Sequence, residues 1–505
     1  MKISHTFLAN GVAIGAWILT SFLSAAESFS EESRPNIVMI VIDTLRAANL
    51  SHAGYDRLTS PAIDELASRS VVFRNTVSIG ANTTIAMAGL MTGRLPHFEF
   101  GEPWTDEYFF GMRRFYSREG EIGLPTALDS LAERLRNAGY FTAGVVTNPY
   151  LQSSYQFDQG FMVYEELMEE NGYVAADVVT DSALSVLDAV KRSEKRNDRP
   201  MSERAEVPTR DTIHQPFFLY LHYMDVHGPY KPRERPEDCF DESKHPRVLR
   251  PMTASDWREW KRWWNMDRDV SKPERQQLLS TMKSRYDCEI RFVDQQLGRV
   301  LKRIRELGLE DKTIIAITSD HGEEFLEHGG TMHKGTVYEE LIRVPLILFV
   351  PGVGSHRVDD LVRNFDLYPT LLQLADVELE AKDVDAVSLL PLVYRKDVTL
   401  GLAAYTSFPW ARMYLAGNEK IIERPNRDLA IFDLERDPGE LNPISSTDAS
   451  VTQKTLKNRL DALVDRLRGD RSELKEAKNS AEGSPQGHGP DEATRNQLRA
   501  LGYLE

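Results

Sequence analysis

Three nearly continuous apolar runs, each ending on an aspartate or on an aspartate and a histidine, constrain the fold of this chain more than any other feature. They are NIVMIVID at 36–43, FFLYLHYMDVHGPY at 217–230 and TIIAITSDHG at 313–322. Two further runs, FTAGVVTN at 141–148 and VPLILFVPG at 344–352, have the same character. Apolar stretches without alternation are typical of strands buried on both faces of a parallel sheet. The runs therefore predict a buried, largely parallel sheet.

Helical patterns separate these runs, as in SPAIDELASRS, where Ser60 would be the cap and Pro61 would begin the helix. Alternating strands and helices predict an α/β fold, a large, mostly parallel sheet sandwiched by helices. The C-terminal third differs. The segments 411–425 and 428–438 read as strands of a small antiparallel sheet. A helix with leucines on one stripe, from Leu456 to Leu467, follows them.

The chain divides into four expected segments. Residues 1–26 combine Lys2, an apolar centre and a Ser-Ala-Ala exit, which is typical of a signal peptide. A catalytic domain is expected over 35–395, an α+β subdomain over 396–470, and a polar, flexible tail over 471–505. The catalytic part is expected to be exported in either case, and to be periplasmic or secreted if the leader is cleaved. The alternative is a membrane anchor formed by residues 6–25.

Charge and cysteine content narrow the class of partner. The chain of 505 residues has 61 Lys+Arg against 77 Asp+Glu, a net charge of −16. Such an acidic surface repels phosphate backbones, so we expect no nucleic-acid partner. Cys239 and Cys288 are the two cysteines, and spacing alone leaves open whether they form a disulfide or two free thiols.

The ends of the predicted strands supply the candidate metal ligands. In open α/β sheets the ligand site lies at the carboxyl ends of the strands. Here those ends carry Asp43, then Asp225 and His227, then Asp320 and His321. Carboxylate oxygens with a few imidazoles suit a divalent ion such as Ca²⁺, Mg²⁺, Mn²⁺ or Zn²⁺.

A second feature is the stretch SIGANTTIAMAGLMTGRLPH at 78–97. Residues 85–91 have helical composition and Gly93 sits where a C-cap would, so Thr83 or Thr84 would lie at a helix N-terminus. Threonine is a preferred N-cap residue, and helix N-termini also favour anions. From its position alone, this threonine is either a helix N-cap or a residue that takes part in catalysis.

Five further segments have distinctive sequences: RPNIVMIVIDTLRAANLSHAGYDRLTSPAIDELASRSVVF, SDHGEEFLEHGGTMHKGTVYEELIRVPLILFVPG, YDCEIRFVDQQLGRVLKRIRELGL, IFDLERDPGELNPIS and RNQLRALGYLE. These segments resemble the sulfatase-like branch of the alkaline phosphatase superfamily. The resemblance covers about residues 35 to 445. It implies metal-dependent cleavage or transfer of an ester group.

The resemblance also implies roles for individual residues. Asp43, Asp320 and His321 match metal ligands. Thr83, ten residues before Gly93, falls at the position of the nucleophile, which would also contact the metal. The remaining implied residues would hold the transferred group or protonate the leaving oxygen: His227, His333 and Lys334.

The chain departs from the formylglycine pattern of many sulfatases. That pattern is Cys/Ser-x-Pro-x-Arg, whereas this chain has Thr83, Ile85 and Met87 at the three places. A threonine cannot become the aldehyde, so no formylglycine is expected. Typical sulfatases also have a pair of aspartates at the place where this chain has Asp43 and Thr44. Unmodified threonine is used by neighbouring phosphodiesterases and phosphoethanolamine transferases.

The roles of several other polar and aromatic residues can be interpreted in more than one way. Asp225 and His97 are candidates for a second metal or for substrate, although one ion is expected rather than two. We expect His222 and His214 to be structural. A tryptophan stripe in a variable insertion packs on the core or forms a lid: Trp257, Trp260 and Trp264.

The first functional hypothesis is therefore an exported, metal-dependent hydrolase of phosphate (di)esters or phosphonates with a threonine nucleophile. The alternatives are a sulfuric-ester hydrolase that acts without formylglycine, a phosphoryl or phosphoethanolamine transferase, and a non-catalytic binding protein. The expected substrates are small molecules, saccharides or lipid headgroups, and a membrane is a partner only if the N-terminal segment stays uncleaved.

Overall fold

A computed structural model describes the chain in nine stretches: residues 34–101, 123–169, 172–197, 216–230, 272–333, 336–380, 384–425, 429–445 and 451–478. Some predictions fall on residues outside these stretches: the leader at 1–26, Cys239, His214, Lys334, the three tryptophans and the tail beyond 478. Cys288 is described, and it is disulfide-bonded. A search of the described helices finds no segment with the length and apolar character of a membrane span.

An eight-stranded sheet forms the centre of the molecule, as the apolar runs predict. Its strands in spatial order are β12 (His356–Arg363), β2 (Val71–Val77), β11 (Leu346–Phe349), β8 (Thr313–Thr318), β1 (Asn36–Ile42), β7 (Phe217–Tyr223), β3 (Phe141–Val146) and β4 (Val163–Glu166). Strand β11 runs antiparallel to both of its neighbours, and the other pairings are parallel. The mostly parallel sheet is thus confirmed.

Helices cover both faces of this sheet, and the last helix of the described chain packs on the small C-terminal sheet. They are α1 (Pro61–Ala67), α2 (Thr83–Thr92), α3 (Leu131–Asn137), α4 (Ala176–Asn197), α5 (Pro273–Glu306), α6 (Glu339–Ile342), α7 (Leu367–Leu374), α8 (Leu390–Tyr394) and α9 (Val451–Lys478). Alternate residues of β1 enter two different cores. Ile40 packs with α1, α4 and α5, whereas Met39 packs with α2, α3 and α7. The strand is buried on both sides, which explains its unbroken apolar sequence.

The C-terminal region forms the predicted antiparallel sheet. Its strands are β13 (Ala403–Phe408), β14 (Ala411–Ala416), β15 (Glu419–Glu423) and β16 (Leu429–Asp433), in that spatial order. Helix α9 buries Leu456, Leu460 and Leu467 against it and continues to Lys478, past the boundary expected at 470. Two short ribbons complete the strands: β5 (Met168–Glu169) with β6 (Gly172–Tyr173), and β9 (Glu324–Phe325) with β10 (Thr331–Met332).

A buried lysine joins the small sheet to the large domain. Lys420 on β15 is fully buried, and its Nζ lies 3.1 Å from Glu339 Oε1 on α6 and 2.7 Å from Glu440 Oε1. A shared apolar cluster lies beside it, in which Ile85 and Leu341 pack with residues of β13 to β16. The two regions therefore share one continuous interface of charge and core.

Candidate metal and catalytic site

The ends of three neighbouring strands converge at one edge of the large sheet. Asp43 follows β1, and its backbone N–H donates to the carbonyl of Tyr223 at the end of β7 (2.8 Å). Asp320 lies just beyond β8, the other neighbour of β1. All of these residues are buried. The structure thus brings together two of the strand-end aspartates, Asp43 and Asp320, which the sequence places far apart.

Thr83 is the first residue of α2, and its hydroxyl faces these aspartates. Asn82 is the N-cap, because its Oδ1 accepts the N–H of Ile85 (3.1 Å). Neither Thr83 nor Thr84 is therefore the N-cap of this helix. Thr83 Oγ1 lies 3.5 Å from Asp43 Oδ2 and 3.4 Å from His321 Nε2. Gly93 ends the helix at φ 66°, as predicted. Because Asn82 caps the helix, the Thr83 hydroxyl is available for chemistry.

Two buried carboxylates dominate the charge of the site. Desolvation, and then the negative charge of Asp320, raise the pKa of Asp43 well above its usual value. Asp320 Oδ1 accepts the backbone N–H groups of Thr44 (3.1 Å) and His321 (2.8 Å). In the described part of the chain, Asp43 Oδ1 and Asp320 Oδ2 have no hydrogen-bond partner. Each carboxylate thus keeps one oxygen for another ligand.

His321 presents one ring nitrogen to the same space. Its Nδ1 donates to the carbonyl of Gly322 (2.8 Å), which can only accept, so in the neutral ring Nε2 holds the lone pair. Nε2 lies 3.4 Å from Asp320 Oδ2. The backbone bond therefore fixes the ring in the tautomer that binds a metal.

His222 on β7 is an unexpected neighbour of the two aspartates. It is fully buried, and its Nε2 lies 3.8 Å from Asp43 Oδ2. One ligand atom from each of Asp43, His222 and Asp320 falls within 4.8 Å of the others. Burial lowers the pKa of His222 to about 4, so the ring is neutral near neutral pH. The sequence led us to expect a structural histidine here, and this placement does not favour that interpretation.

A second set of side chains flanks the first. The rings of His227 and His333 are 4.9 Å apart, and those of His321 and His333 are 4.5 Å apart. His227 Nδ1 donates to the carbonyl of Gly228 (2.5 Å). His333 Nδ1 lies 3.2 Å from Glu323 Oε1, and Tyr230 donates its hydroxyl to Glu323 Oε2 (2.9 Å). Burial raises the pKa of Glu323 to about 8.

The two residues suggested for a second metal or for substrate have other contacts. Asp225 Oδ1 accepts the N–H of Ala176 at the start of α4 (3.0 Å). His97 lies 2.5 Å from the Tyr405 hydroxyl through Nδ1 and 3.3 Å from Glu99 Oε1 through Nε2. Neither belongs to a close group of metal-ligand types among the residues that the structure covers. A role in a second metal or substrate site stays a prediction for both.

Asn148 is a site residue that the sequence analysis missed. It follows β3, and its Nδ2 lies 2.8 Å from Asp43 Oδ2 and 3.4 Å from Thr83 Oγ1. Its Oδ1 accepts the N–H of Tyr150 (2.9 Å), which orients the amide. The signal was present, because the predicted strand at 141–148 also ends on a polar side chain.

The donor set fits a divalent cation. Two buried carboxylates each have one oxygen without a partner in the described chain, and the imidazoles of His222 and His321 lie beside them. A buried excess of negative charge is unfavourable unless a cation compensates it. Oxygen and imidazole ligands together suit the ions that the sequence predicts.

Sequence comparison places the chain among sulfatases. The profile of the Sulfatase family matches residues 35–377. An arylsulfatase of Clostridium perfringens is 24% identical over 475 residues, with 85% of this chain and 93% of that protein covered. A choline-sulfatase of Rhizobium meliloti is 24% identical over 465 residues, with 84% and 85% covered. An N-acetylglucosamine-6-O-sulfatase of Bacteroides thetaiotaomicron is 23% identical over 423 residues, with 75% and 74% covered.

Solved structures share the fold. A 2-O GAG sulfatase superposes with a TM-score of 0.59 at 18% identity, covering 93% of this chain and 96% of that one. A structure in complex with its substrate D-glucosamine-2-N,6-O-disulfate superposes with a TM-score of 0.60 at 20% identity, covering 87% and 98%. With the family profile spanning more than half of its length, the chain belongs to the Sulfatase family and is a sulfatase-like hydrolase of ester bonds.

Proposed function

We propose that this chain is an exported sulfuric-ester hydrolase that binds one divalent ion and uses Thr83 as its nucleophile. Its substrates would be sulfate esters of small molecules or saccharides. The observation that carries the proposal is the convergence of the Thr83 hydroxyl with Asp43 and His321 in a chain of this family.

The named relatives support sulfate over phosphate. An arylsulfatase, a choline-sulfatase and an N-acetylglucosamine-6-O-sulfatase all match over most of their length. Threonine at position 83, by itself, favours phosphate esters. The comparisons favour the alternative, a sulfatase that acts without formylglycine.

The first step would be attack by Thr83 Oγ1 on the sulfur of the bound ester. A divalent ion held by Asp43, Asp320 and His321 supplies Lewis-acid stabilisation of the developing charge when bound. Thr83 Oγ1 donates towards Asp43 Oδ2 (3.5 Å), so that oxygen is placed to hold the hydroxyl proton during attack. The new bond joins Oγ1 to sulfur, and the bond from sulfur to the leaving oxygen breaks.

The leaving oxygen needs a proton, which we assign to His333, whose ring lies 4.5 Å from that of His321. Its Nδ1 faces Glu323, so Nε2 would donate to the leaving oxygen. In the second step a water attacks the sulfur of the threonine sulfate and returns a proton to His333. The bond from sulfur to Oγ1 then breaks, Thr83 recovers its proton, and inorganic sulfate is released.

The test compares sulfate and phosphate esters on one purified protein. The chain loaded with Ca²⁺, Mn²⁺ or Zn²⁺ should release sulfate from an aryl sulfate faster than it cleaves an aryl phosphodiester. Thr83→Ala should lower turnover by at least about 10³-fold, because the nucleophile is removed. Mass spectrometry during turnover should detect sulfate on the peptide that contains Thr83.

Thr84→Ala is the matched control, since Thr84 Oγ1 contacts Asn82 Oδ1 (3.3 Å). This variant should retain turnover and the wild-type circular dichroism spectrum. Inactivation by Thr84→Ala with an active Thr83→Ala would move the nucleophile by one residue. Full activity of Thr83→Ala would refute covalent catalysis by this residue.

Phosphate-ester cleavage is the second candidate, and the identity of residue 83 favours it. A threonine sulfate cannot expel its sulfate by collapse to an aldehyde, so it must wait for water to attack sulfur. A phosphoryl-threonine is hydrolysed readily with metal assistance. Faster cleavage of the phosphodiester, with a phosphoryl adduct on the Thr83 peptide, would establish this second function in place of the first.

A further inference from the structure

His222 is a buried histidine without a conventional partner. It lies near the end of β7 and pairs in register with Val41 of the neighbouring strand β1. Its side chain is fully buried, and neither ring nitrogen has a hydrogen-bond partner within the residues that the structure describes. A buried imidazole with two unsatisfied nitrogens is unfavourable, so its retention needs a ligand.

The surroundings of His222 show where that ligand would be. Its Nε2 lies 3.8 Å from Asp43 Oδ2, which is too long for a hydrogen bond. Two ligands bound to one divalent ion are commonly separated by such a distance, because each lies about 2.0–2.5 Å from the ion. One ligand atom of Asp320 falls within the same 4.8 Å group.

Asp43, Asp320 and His222 also share a second property, which concerns their hydrogen bonds. Asp43 Oδ1 and Asp320 Oδ2 have no hydrogen-bond partner in the stretches of chain that the structure covers, as is true of His222. In contrast, the oxygens Asp43 Oδ2 and Asp320 Oδ1 accept hydrogen bonds from Asn148 and from backbone N–H groups. One cation would bind both carboxylates and one ring nitrogen of His222 at once.

We propose that His222 is a direct ligand of the divalent ion, together with Asp43 and Asp320. The ion would then bind two imidazoles, from His222 on β7 and from His321 beyond β8. This inference rests on the metal dependence in the proposed function and adds a ligand from the strand on the other side of β1. It does not depend on whether the ester is a sulfate or a phosphate.

Mn²⁺ is a suitable probe, because its electron spin reports coordinated nitrogen. The chelator-treated full chain is titrated with Mn²⁺, and free Mn²⁺ is followed by electron paramagnetic resonance. Removing hydrogen-bond partners of metal ligands lowers affinity 10–100-fold, so loss of a direct ligand in His222→Gln should lower it at least tenfold. Pulsed spectra should show two coupled imidazoles in the wild type and one in His222→Gln or His321→Gln.

His356→Gln is the control, since His356 lies at the start of the edge strand β12 and its ring nitrogens face the carbonyl oxygens of Gly354 (3.1 Å) and Leu392 (2.9 Å). It should leave Mn²⁺ affinity and the nitrogen couplings unchanged. Melting curves give a second measurement. His222→Leu should keep the metal-free Tm of the wild type while losing most of the Tm rise on adding Mn²⁺.

Two outcomes would overturn the inference. One is a wild-type spectrum with a single coupled imidazole that persists in His222→Gln and disappears in His321→Gln. The other is unchanged Mn²⁺ affinity in His222→Gln. A chain that binds Mn²⁺ through both histidines but cleaves no sulfate ester would refute the proposed function alone.

Discussion

Two groups of carboxylates and histidine in this molecule have the same composition but different bonding. The first is Asp43, His222 and Asp320, and the second is Glu324, His328 and Glu340. In both, one ligand atom from each residue lies within 4.8 Å of the others. The first group is fully buried, whereas His328 keeps some exposure.

The second group is satisfied by hydrogen bonds within the protein. Glu324 Oε1 accepts the N–H groups of His328 (3.1 Å) and Gly330 (2.7 Å). His328 Nδ1 lies 2.7 Å from Glu340 Oε1, and its Nε2 lies 3.2 Å from the Glu440 carbonyl oxygen. Its ring stacks on Tyr338 at 3.5 Å. Both nitrogens face acceptors, so the protonated ring donates from both and then has no lone pair for a metal.

The comparison teaches that residue type and proximity do not define a metal site. His328 is an ion-paired donor that stabilises a loop, while His222 is a neutral ring beside carboxylate oxygens that lack partners in the described chain. The unsatisfied atoms, rather than the number of acidic residues, distinguish the two groups.

The largest expected effect would come from Asp320→Ala. It removes a ligand of the first group, so bound divalent ion and turnover should both fall by more than about 100-fold. Metal analysis after dialysis against Mn²⁺ measures the first effect. Glu324→Gln in the second group is the control and should retain the full ion content. An unchanged ion content in Asp320→Ala would place the ion elsewhere and break the comparison.

His328→Gln should affect folding and leave metal content unchanged. Loss of a hydrogen bond to a charged partner should lower the free energy of unfolding by about 2 kcal/mol. Burial alone would lower the pKa of His328, but the hydrogen bond to Glu340 and the charges of Glu340 and Glu440 raise it above 6.5. Because the folded pKa is the higher one, this stabilisation is complete below about pH 6.5 and disappears as the pH rises through the folded value.

Urea titrations at pH 5.5 and pH 8.5 check this prediction. The difference in stability between the wild type and His328→Gln should be larger at pH 5.5. A difference that grows with pH would mean that His328 is neutral in the folded state, and then the second group would be as open to a metal as the first.

The smallest effect is expected at Asn82. Asn82→Ala removes the cap of α2 and should lower the free energy of unfolding by about 1 kcal/mol. Its influence on turnover should exceed its influence on ion affinity, because the cap orients Thr83 rather than the aspartates. Thermal melts measure the loss of stability, and turnover assays and Mn²⁺ titrations of the same preparation compare the losses of activity and of ion affinity. Equal losses in both would show that α2 also positions the metal ligands.

The sequence predicts the framework of the site better than its interior. The strands β1, β7 and β8 and their terminal aspartates follow from apolar runs that end in polar residues. The choice of Thr83 over Thr84 follows from the family resemblance, which puts the nucleophile ten residues before Gly93. The apolar run around His222 predicts a structural residue, and no periodicity shows that β7 pairs with β1.

Asn82 and Asn148 show the same limit at shorter range. Asn82 precedes two threonines that are themselves good caps, and only the bond from Ile85 identifies the cap that is used. Asn148 contacts Asp43 across 105 residues of chain. Such contacts depend on the three-dimensional pairing of strand ends, which a pattern of residue types does not contain.

The buried Lys420 determines how the molecule can be shortened. The expected boundary near residue 395 suggests a truncated enzyme that ends there and lacks the small C-terminal sheet. Such a fragment would leave Glu339 without its buried cation and would expose Ile85 and Leu341, which pack against that sheet. Ile85 lies two residues after Thr83 in α2. Recombinant work on this protein should therefore keep the C-terminal sheet, and chimeras with other members of the family should exchange it together with α6.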